Sequence, residues 1–521
     1  MRSMRRSMRM ALAVAAALVV LSACGGTAVT GSGSGQPKPS GKVGEVLTIA
    51  QPAAPKTLDP TKETTSDRFY AALAYEPLIV QNSAGDLQPG LALSWHYVGT
   101  GNRTFVLALR PDVKFSDGSA LSAQGVVDHF SYLVKAAGQQ APMFTGYEFA
   151  ATGPLEVTVK SPKPDPDLAK HLSQNFVAGD IVSPSGLSDP AKLGGATFGA
   201  GPYQIDPAQT VAGSQYTYVQ NPNYYDKAVV HWKKVVVRVM LDPQSTLAAM
   251  QTGQVNLSLG DQGTVPAAKR AGLTVTSAPQ LVVAVTLADR EGKLAKPLAD
   301  ARVRQALNYA TDRASIAKAL YADSGAPTMQ LSVPGAAGYD AALEHTYPYD
   351  VAKAKDLLSQ AGYPNGFTLE VSTTTGGGLN LATQAVAQQW EKAGLTVKVN
   401  EITNASAYRT TVLGEAKAPA FTANFSVPIA AEGSYLYLPN ALYNPFRTVD
   451  PALQSLYDQS AAASPEAKAG LDRQIMAYLV QQAWFVPIVS QNLYYYASKN
   501  ITGTTTTPTS YVSIYEVQPA A

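Results

Sequence analysis

Apolar residues fall along this chain in short runs, and their spacing changes about half-way. The first run, Ala11–Leu21, is continuous. As a helix its eleven residues rise about 16 Å, short of the roughly 30 Å of membrane hydrocarbon. Later runs predict strands at Val46–Ala50, Thr104–Leu109, Leu155–Val159, Tyr216–Val219 and Val235–Met240, and Leu155–Val159 alternates as a half-buried strand should. Phe115-Ser116-Asp117-Gly118 predicts a turn, and Ser122 then predicts the cap of a helix through Val126, Val127 and Phe130. Asp242-Pro243 opens a helix through Leu247 and Met250 that Gly253 closes. In the second half, Asp300–Leu320 carries Val303, Leu307 and Ala310 on one helical face, and Asp350 caps Val351–Gln360. Strand Phe367–Val371, helix Leu381–Lys392 and strand Leu395–Val399 make a β-α-β alternation, the signature of an α/β lobe. Ser464-Pro465 opens a last helix to about Gln482, and Val486–Val489 and Leu493–Tyr496 read as two closing strands.

Composition bounds the rest. A chain of 521 residues with 46% hydrophobic and 15% charged side chains predicts about three structural units or two large lobes. Arg2, Arg5, Arg6 and Arg9 precede the Ala11–Leu21 run with no acid among them. A basic segment before a short apolar one is a secretory signal. Leu21-Ser22-Ala23-Cys24-Gly25 resembles the bacterial lipobox, which implies cleavage before Cys24 and a diacylglycerol anchor on its thiol. Losing residues 1–23 removes those four arginines and no acid, so the formal charge passes from +2 to −2. That balance gives no electrostatic case for nucleic acid. Residues 24–45 are rich in Gly, Ser and Pro and read as a flexible tether reaching about 25 Å. A single cysteine forms no intramolecular disulfide, and the five histidines lack metal-ligand spacing, so no metal or cofactor is expected. The sequence also lacks a G-x-S-x-G elbow, a Walker loop and a complete G-x-G-x-x-G, so an enzyme is not expected.

Several ordered motifs resemble one family. They are Tyr75-Glu76-Pro77-Leu78, Gly85–Trp95, Phe105–Gly118, Gly199-Ala200-Gly201-Pro202-Tyr203, Asn221-Pro222-Asn223-Tyr224-Tyr225, Asp242-Pro243 through Asn256, Asp300–Leu307 with Asp312-Arg313, and Tyr349-Asp350 through Tyr363. Together they are similar to the extracytoplasmic solute-binding proteins of peptide and nickel ABC importers, solute-binding protein family 5. The resemblance implies an α/β, two-lobed periplasmic-binding-protein-like fold of the large, three-subdomain type II form. Lobe I would be 46–285, with an extra subdomain at about 70–200, and would regain the chain at 484–521. Lobe II would be 296–480, and the two linking segments would hinge over a ligand. Most motifs read as fold-makers. Trp95 and Trp232 are expected in cores, and Arg302, Arg304, Asp312 and Arg313 in surface or interlobe ion pairs.

The peptide binders of that family keep a carboxylate for the ligand's α-ammonium in a segment resembling W-x-x-D-Y-x-x-P. Here that segment is Phe421–Pro428, with Phe421 at the tryptophan position and Asn424 at the acidic one. A desolvated ammonium needs a counter-charge that Asn lacks. Either another acid meets the amine, Glu432 being the nearest, or the ligand has no free α-amine, as in a blocked peptide, a saccharide or another neutral metabolite. The segment after the family's L-D-P adds Thr65, and the tyrosine-rich second half (27 Tyr in the chain against 13 Phe) adds flat faces with a hydroxyl. The expected ligand-binding residues are Thr65, Tyr408, Phe421, Asn424, Tyr435 and Gln491. The expected function is capture of peptides or peptide-like solutes by a lipid-anchored monomer on the outer face of the cell membrane. Its expected partners are an ABC permease and ATPase complex. The alternatives are a non-peptide solute on the same fold, or a ligand sensor.

Overall fold

The computed structural model describes residues 40–63, 67–138, 140–426, 436–439, 441–508 and 510–521. The strands used below are β1 (Gly44–Gln51), β2 (Ala92–Val98), β3 (Thr104–Leu109), β4 (Glu148–Gly153), β5 (Glu156–Lys160), β6 (Tyr203–Ile205), β7 (Gln215–Gln220) and β8 (Trp232–Val239). They continue with β9 (Leu257–Gly260), β10 (Thr274–Leu287), β11 (Gly325–Pro327), β12 (Thr368–Thr373), β13 (Thr396–Glu401), β14 (Ala420–Ser426) and β15 (Phe485–Ala497). The helices are α1 (Arg68–Ala74), α2 (Ala123–Ala136), α3 (Pro243–Gln251), α4 (Ala301–Tyr309), α5 (Val351–Gln360), α6 (Leu379–Lys392), α7 (Pro451–Ala462) and α8 (Pro465–Gln481).

One eleven-stranded sheet has the order β13-β12-β14-β10-β15-β9-β1-β8-β7-β6, with β11 added on β15. A side sheet has the order β2-β3-β5-β4. The long antiparallel strands β10 and β15 pair from Thr274↔Ala497 to Thr286↔Phe485, with a register shift between Pro279 and Leu281. Around that shift the strands change cores. Tyr495 and Ala497 pack with β1, β8 and β9, whereas Val486, Ile488 and Val489 pack with α4, α5 and α6. On β10, Val283, Val285 and Leu287 face that second core, and Val282 and Ala284 face a third one with Phe421, Phe425, Ile475 and Leu479. Burial on both faces explains why Leu281–Leu287 is almost wholly apolar instead of alternating. A further core, with Phe105, Leu107, Phe115, Phe130, Phe144 and Val159, lies between the side sheet and α2.

The helix caps match the expectation. The side chains of Ser122, Asp242, Asp350 and Ser464 each accept from the amide three residues on, at 3.1, 2.8, 2.8 and 3.5 Å. Other expectations need correcting. The helix expected over Asp300–Leu320 ends at Tyr309; Asp312 caps a new turn by accepting from Ser315 N at 3.0 Å, and a π-turn follows at Ala317–Tyr321. The two closing strands are the single strand β15. Strand β10 and helix α7 were not expected at all. Trp232 is core and donates its indole N–H to Val517 O at 2.8 Å, while Trp95 packs half-buried against the side-sheet core. Arg302 forms the expected surface pair with Asp300. Among the described residues Arg304 and Arg313 form no ion pair. Both are buried and donate to carbonyls, Arg304 to Leu298 O and Gln482 O and Arg313 to Pro487 O and Asn308 O.

The fold-making motifs converge on one joint between the side-sheet unit and the large sheet. Glu76 accepts from the hydroxyls of Tyr224 and Tyr225 at 3.0 and 2.9 Å. Asn221 donates to Gly201 O at 2.9 Å, and Asn223 to Phe115 O at 3.1 Å. A Cβ on Gly199 would stand 2.2 Å from Ala74 O, so only glycine allows this approach.

The joint carries buried acids. Burial raises Glu76 to about 7 despite its tyrosine partners. Burial also raises Glu63 and Asp180 well above the usual carboxyl range, and the carboxyl oxygens of both lack hydrogen-bond partners among the described residues. A carboxyl whose pKa is raised on folding costs nothing below its unfolded value and destabilises progressively as pH rises towards its folded value. His129, buried and lowered to about 4, opposes this only where the unfolded histidine charges, near and below pH 6.5. The melting temperature is therefore expected to rise from pH 8 to pH 6.5. Glu76 alone would supply about 1 kcal/mol of that, and Glu76→Gln should flatten the profile. A scanning-calorimetry profile that is level or inverted in this window would contradict the assignment.

Candidate functional site

Strand directions fix where a ligand can sit. β9 and β10 both run antiparallel to β15, so they share a direction, and β1 and β8 run with β9. β14 runs antiparallel to β10, and β12 and β13 run with β14. The carboxyl ends of the two parallel sets therefore point at each other. They meet at the middle of β10 and β15, where Leu281 is paired with both Ser426 and Gln491. In open α/β sheets ligands bind outside the carboxyl ends of strands, and here two such edges face each other, which marks the candidate crevice.

On one side of that crevice, β9 ends at Gly260 and leads into Asp261 and Gln262. Tyr496 donates to Asp261 O at 2.6 Å, and Gln262 donates to Tyr321 O at 2.8 Å, a bond from one sheet half to the other. At the crossing, Gln280 donates through Nε2 to Thr506 Oγ1, Thr507 O and Ser510 O, and its Oε1 is buried without a partner among the described residues. On the other side, β12 and β14 end against the start of α6. Thr383 of α6 links Thr373 of β12 and Thr422 of β14 at 2.9 and 2.7 Å. Beyond this uncharged hydroxyl layer lies Asn424, half-buried and opposite Val283, with Oδ1 buried and lacking a partner among the described residues. Gly377, at φ +63 in the loop that opens α6, leaves only 3.1 Å between an added Cβ and Asn424 Nδ2.

The expected ligand residues are distributed as follows. Asn424, opposite Val283, and Gln491, opposite Leu281, flank β10 near the crossing, two residues apart along it. Phe421 and Tyr408 lie in the aromatic core beneath, where Phe421 is fully buried and the Tyr408 hydroxyl donates to Thr422 O. Thr65, Tyr435, Glu432 and Cys24 lie outside the described residues. Tyr494, Tyr495 and Tyr496 are buried, and Tyr443 packs on Phe425 with ring centroids 5.1 Å apart. The sequence reading missed Gln262, Gln280 and the Thr373–Thr383–Thr422 layer. The polar breaks Pro279-Gln280 and Ser490-Gln491-Asn492 were the available signal. Among the described residues no group of three His, Cys, Asp or Glu could hold a metal ion, and no helix is long and apolar enough to cross a membrane.

Comparison with known proteins agrees with this geometry. The family profile of bacterial extracellular solute-binding proteins, family 5 Middle, matches residues 86–443. The nickel-binding periplasmic protein of Escherichia coli (strain K12) is 29% identical over 334 residues, which is 61% of this chain and 61% of that protein, under two thirds of its length. The glutathione-binding protein GsiB of Shigella dysenteriae serotype 1 (strain Sd197) is 25% identical over 474 residues, 86% of this chain and 89% of that one. Among solved structures, the periplasmic binding protein DppA of Helicobacter pylori in complex with peptide STSA superposes with a TM-score of 0.75 at 21% identity, covering 92% of this chain and 99% of its own.

Gly377→Ala is expected to cost about 1 kcal/mol through the left-handed backbone and to push the Asn424 side chain from its position. A shifted Asn424 side-chain amide resonance in NMR would check the second effect, and an unmoved one would count against the packing described.

Proposed function

The chain belongs to the bacterial extracellular solute-binding proteins of family 5, and from that premise we propose that it captures a peptide or peptide-like solute outside the cytoplasm and delivers it to an ABC permease and its ATPase. The observation that carries this reading is the meeting of two carboxyl-end edges at two shared strands, a crevice that hinge motion about those strands would close. Lobe I would comprise 46–285 with 484–521 and lobe II 296–480. Relatives described as glutathione-binding and as binding peptide STSA support a peptide-like ligand. The ligand contacts would include Asn424 and Gln491 at the crossing, with Thr65 and Tyr435 contributed from the flanking segments. Tyr408 and Phe421 would shape the floor of the pocket from beneath.

The ligand group at Asn424 is neutral in this reading. The surrounding side chains of Thr373, Thr383 and Thr422 carry no charge, and an unpaired amide oxygen accepts a hydrogen bond without neutralising an ammonium. N-blocked peptides or other neutral donors fit better there than free-amine peptides. A thermal-shift screen with free and N-acetylated peptides, glutathione, oligosaccharides and nickel complexes tests this, because a ligand that binds only the native state stabilises it by RT ln(1 + [L]/Kd). Blocked peptides are expected to shift the melting temperature more than free ones. Asn424→Asp should reverse that preference by tenfold or more, from a charge-assisted bond of about 1.5–3 kcal/mol. Equal shifts for both classes, or a preference for free amines in the unaltered protein, would reject the neutral-group reading.

The protein is further proposed to ride on the outer face of the cell membrane by a lipid on Cys24. Cys24→Ala is expected to release it into the soluble fraction and to abolish incorporation of labelled fatty acid. Retention with the membrane would rule out this anchor.

A further inference from the structure

Besides β10, β15 and the Gln262–Tyr321 bond, a further connection joins the two halves of the molecule. Asn102 occupies the turn between β2 and β3 at φ +52, a left-handed conformation that Asn tolerates better than most residues. Its Nδ2 donates to Ala461 O at 2.9 Å and to Ala463 O at 3.1 Å. These carbonyls lie at the end of α7, where the helix leaves them unpaired. Beside them, Lys468 of α8 reaches Asp167 at 3.4 Å and Asp472 at 2.8 Å. The three side chains are 12%, 11% and 4% exposed, so salt screens them far less than a surface pair.

Both faces are held in shape from behind. Asn102 O accepts from Asp165 N at 2.9 Å, and Asp165 in turn accepts from the Tyr147 hydroxyl at 2.8 Å. Asp167 also takes Lys170 at 2.8 Å, and Asp472 takes the Ser460 hydroxyl at 2.8 Å. The side sheet is fastened to the β1–β8–β9 half through Glu76, whereas α7 and α8 pack in the opposite half with Phe421 and Phe485. A rotation about β10 and β15 that separates the halves has to break the Asn102 and Lys468 contacts.

We propose that Asn102, Asp167 and Lys468 form a clasp that biases the empty protein towards its closed arrangement, whatever the ligand. Contacts made in only one of two conformations shift the population between them. The fraction of protein already closed scales the apparent affinity for any ligand that binds the closed form.

Spin labels at Lys135→Cys on α2 and Lys355→Cys on α5, in a Cys24→Ala background that removes the sole native thiol, report the distance between the halves by double electron–electron resonance without ligand. The parent is expected to show mainly the shorter distance. Asn102→Ala and Lys468→Met should each raise the proportion of the longer one, by about fivefold or more together. Lys468→Arg, which keeps the charge, should stay near the parent. If Lys468→Met disturbs folding by circular dichroism, Asn102→Ala alone decides. An unchanged distribution in Asn102→Ala and in the double variant, or a parent already dominated by the longer distance, overturns the proposal.

Discussion

The backbone ladder between β10 and β15 is the constraint on which the other features depend. Two strands of this length could each have ended at the edge of one core. Instead they leave one hydrophobic cluster and enter another without leaving the sheet. The halves of the molecule therefore share hydrogen bonds as well as chain, and the Pro279–Leu281 register shift lies between them. The carboxyl ends of both parallel strand sets are aimed at that same place, so the proposed binding crevice and the proposed hinge fall at one point of the fold.

Much of this architecture was legible in the sequence. Four caps, at Ser122, Asp242, Asp350 and Ser464, were readable because capping depends on one side chain and one nearby amide. The ordered motifs were readable as fold-makers, and Glu76, Gly199 and Asn221 gather at one joint. β10 and the continuity of β15 were not readable. Pro279-Gln280 and Ser490-Gln491-Asn492 look like strand ends, since polar residues usually mark the exit from a core. Here they mark the short interval between two cores, where the strands cross from one half of the sheet to the other.

The candidate site was legible in part for a related reason. Asn424 and Gln491 are polar residues in otherwise apolar strands, so each stands out. Phe421 and Tyr408 stand out by composition, yet an aromatic residue serves a core and a ligand face equally well, and only packing separates the two. Gln280 was hidden because its role rests on bonds to Thr506, Thr507 and Ser510, more than two hundred residues further on. The arginines Arg304 and Arg313 show the same limit: sequence suggests a charge partner, whereas the fold gives them backbone carbonyls.

The position of β15 has a consequence for how the chain is made. It is central in the large sheet, flanked by β10 and β9, yet it begins only at Phe485. Until those last residues arrive, β9 and β10 each present an unpaired edge, and the two halves have no ladder to join them. Assembly of the sheet thus waits until the chain beyond Phe485 has been made, and closing such distant contacts is slow. A polypeptide cut short before Phe485 would retain capped helices and local hairpins but display bare strand edges prone to association. The last strand of the large sheet to be synthesised is the one that makes a single molecule out of two halves.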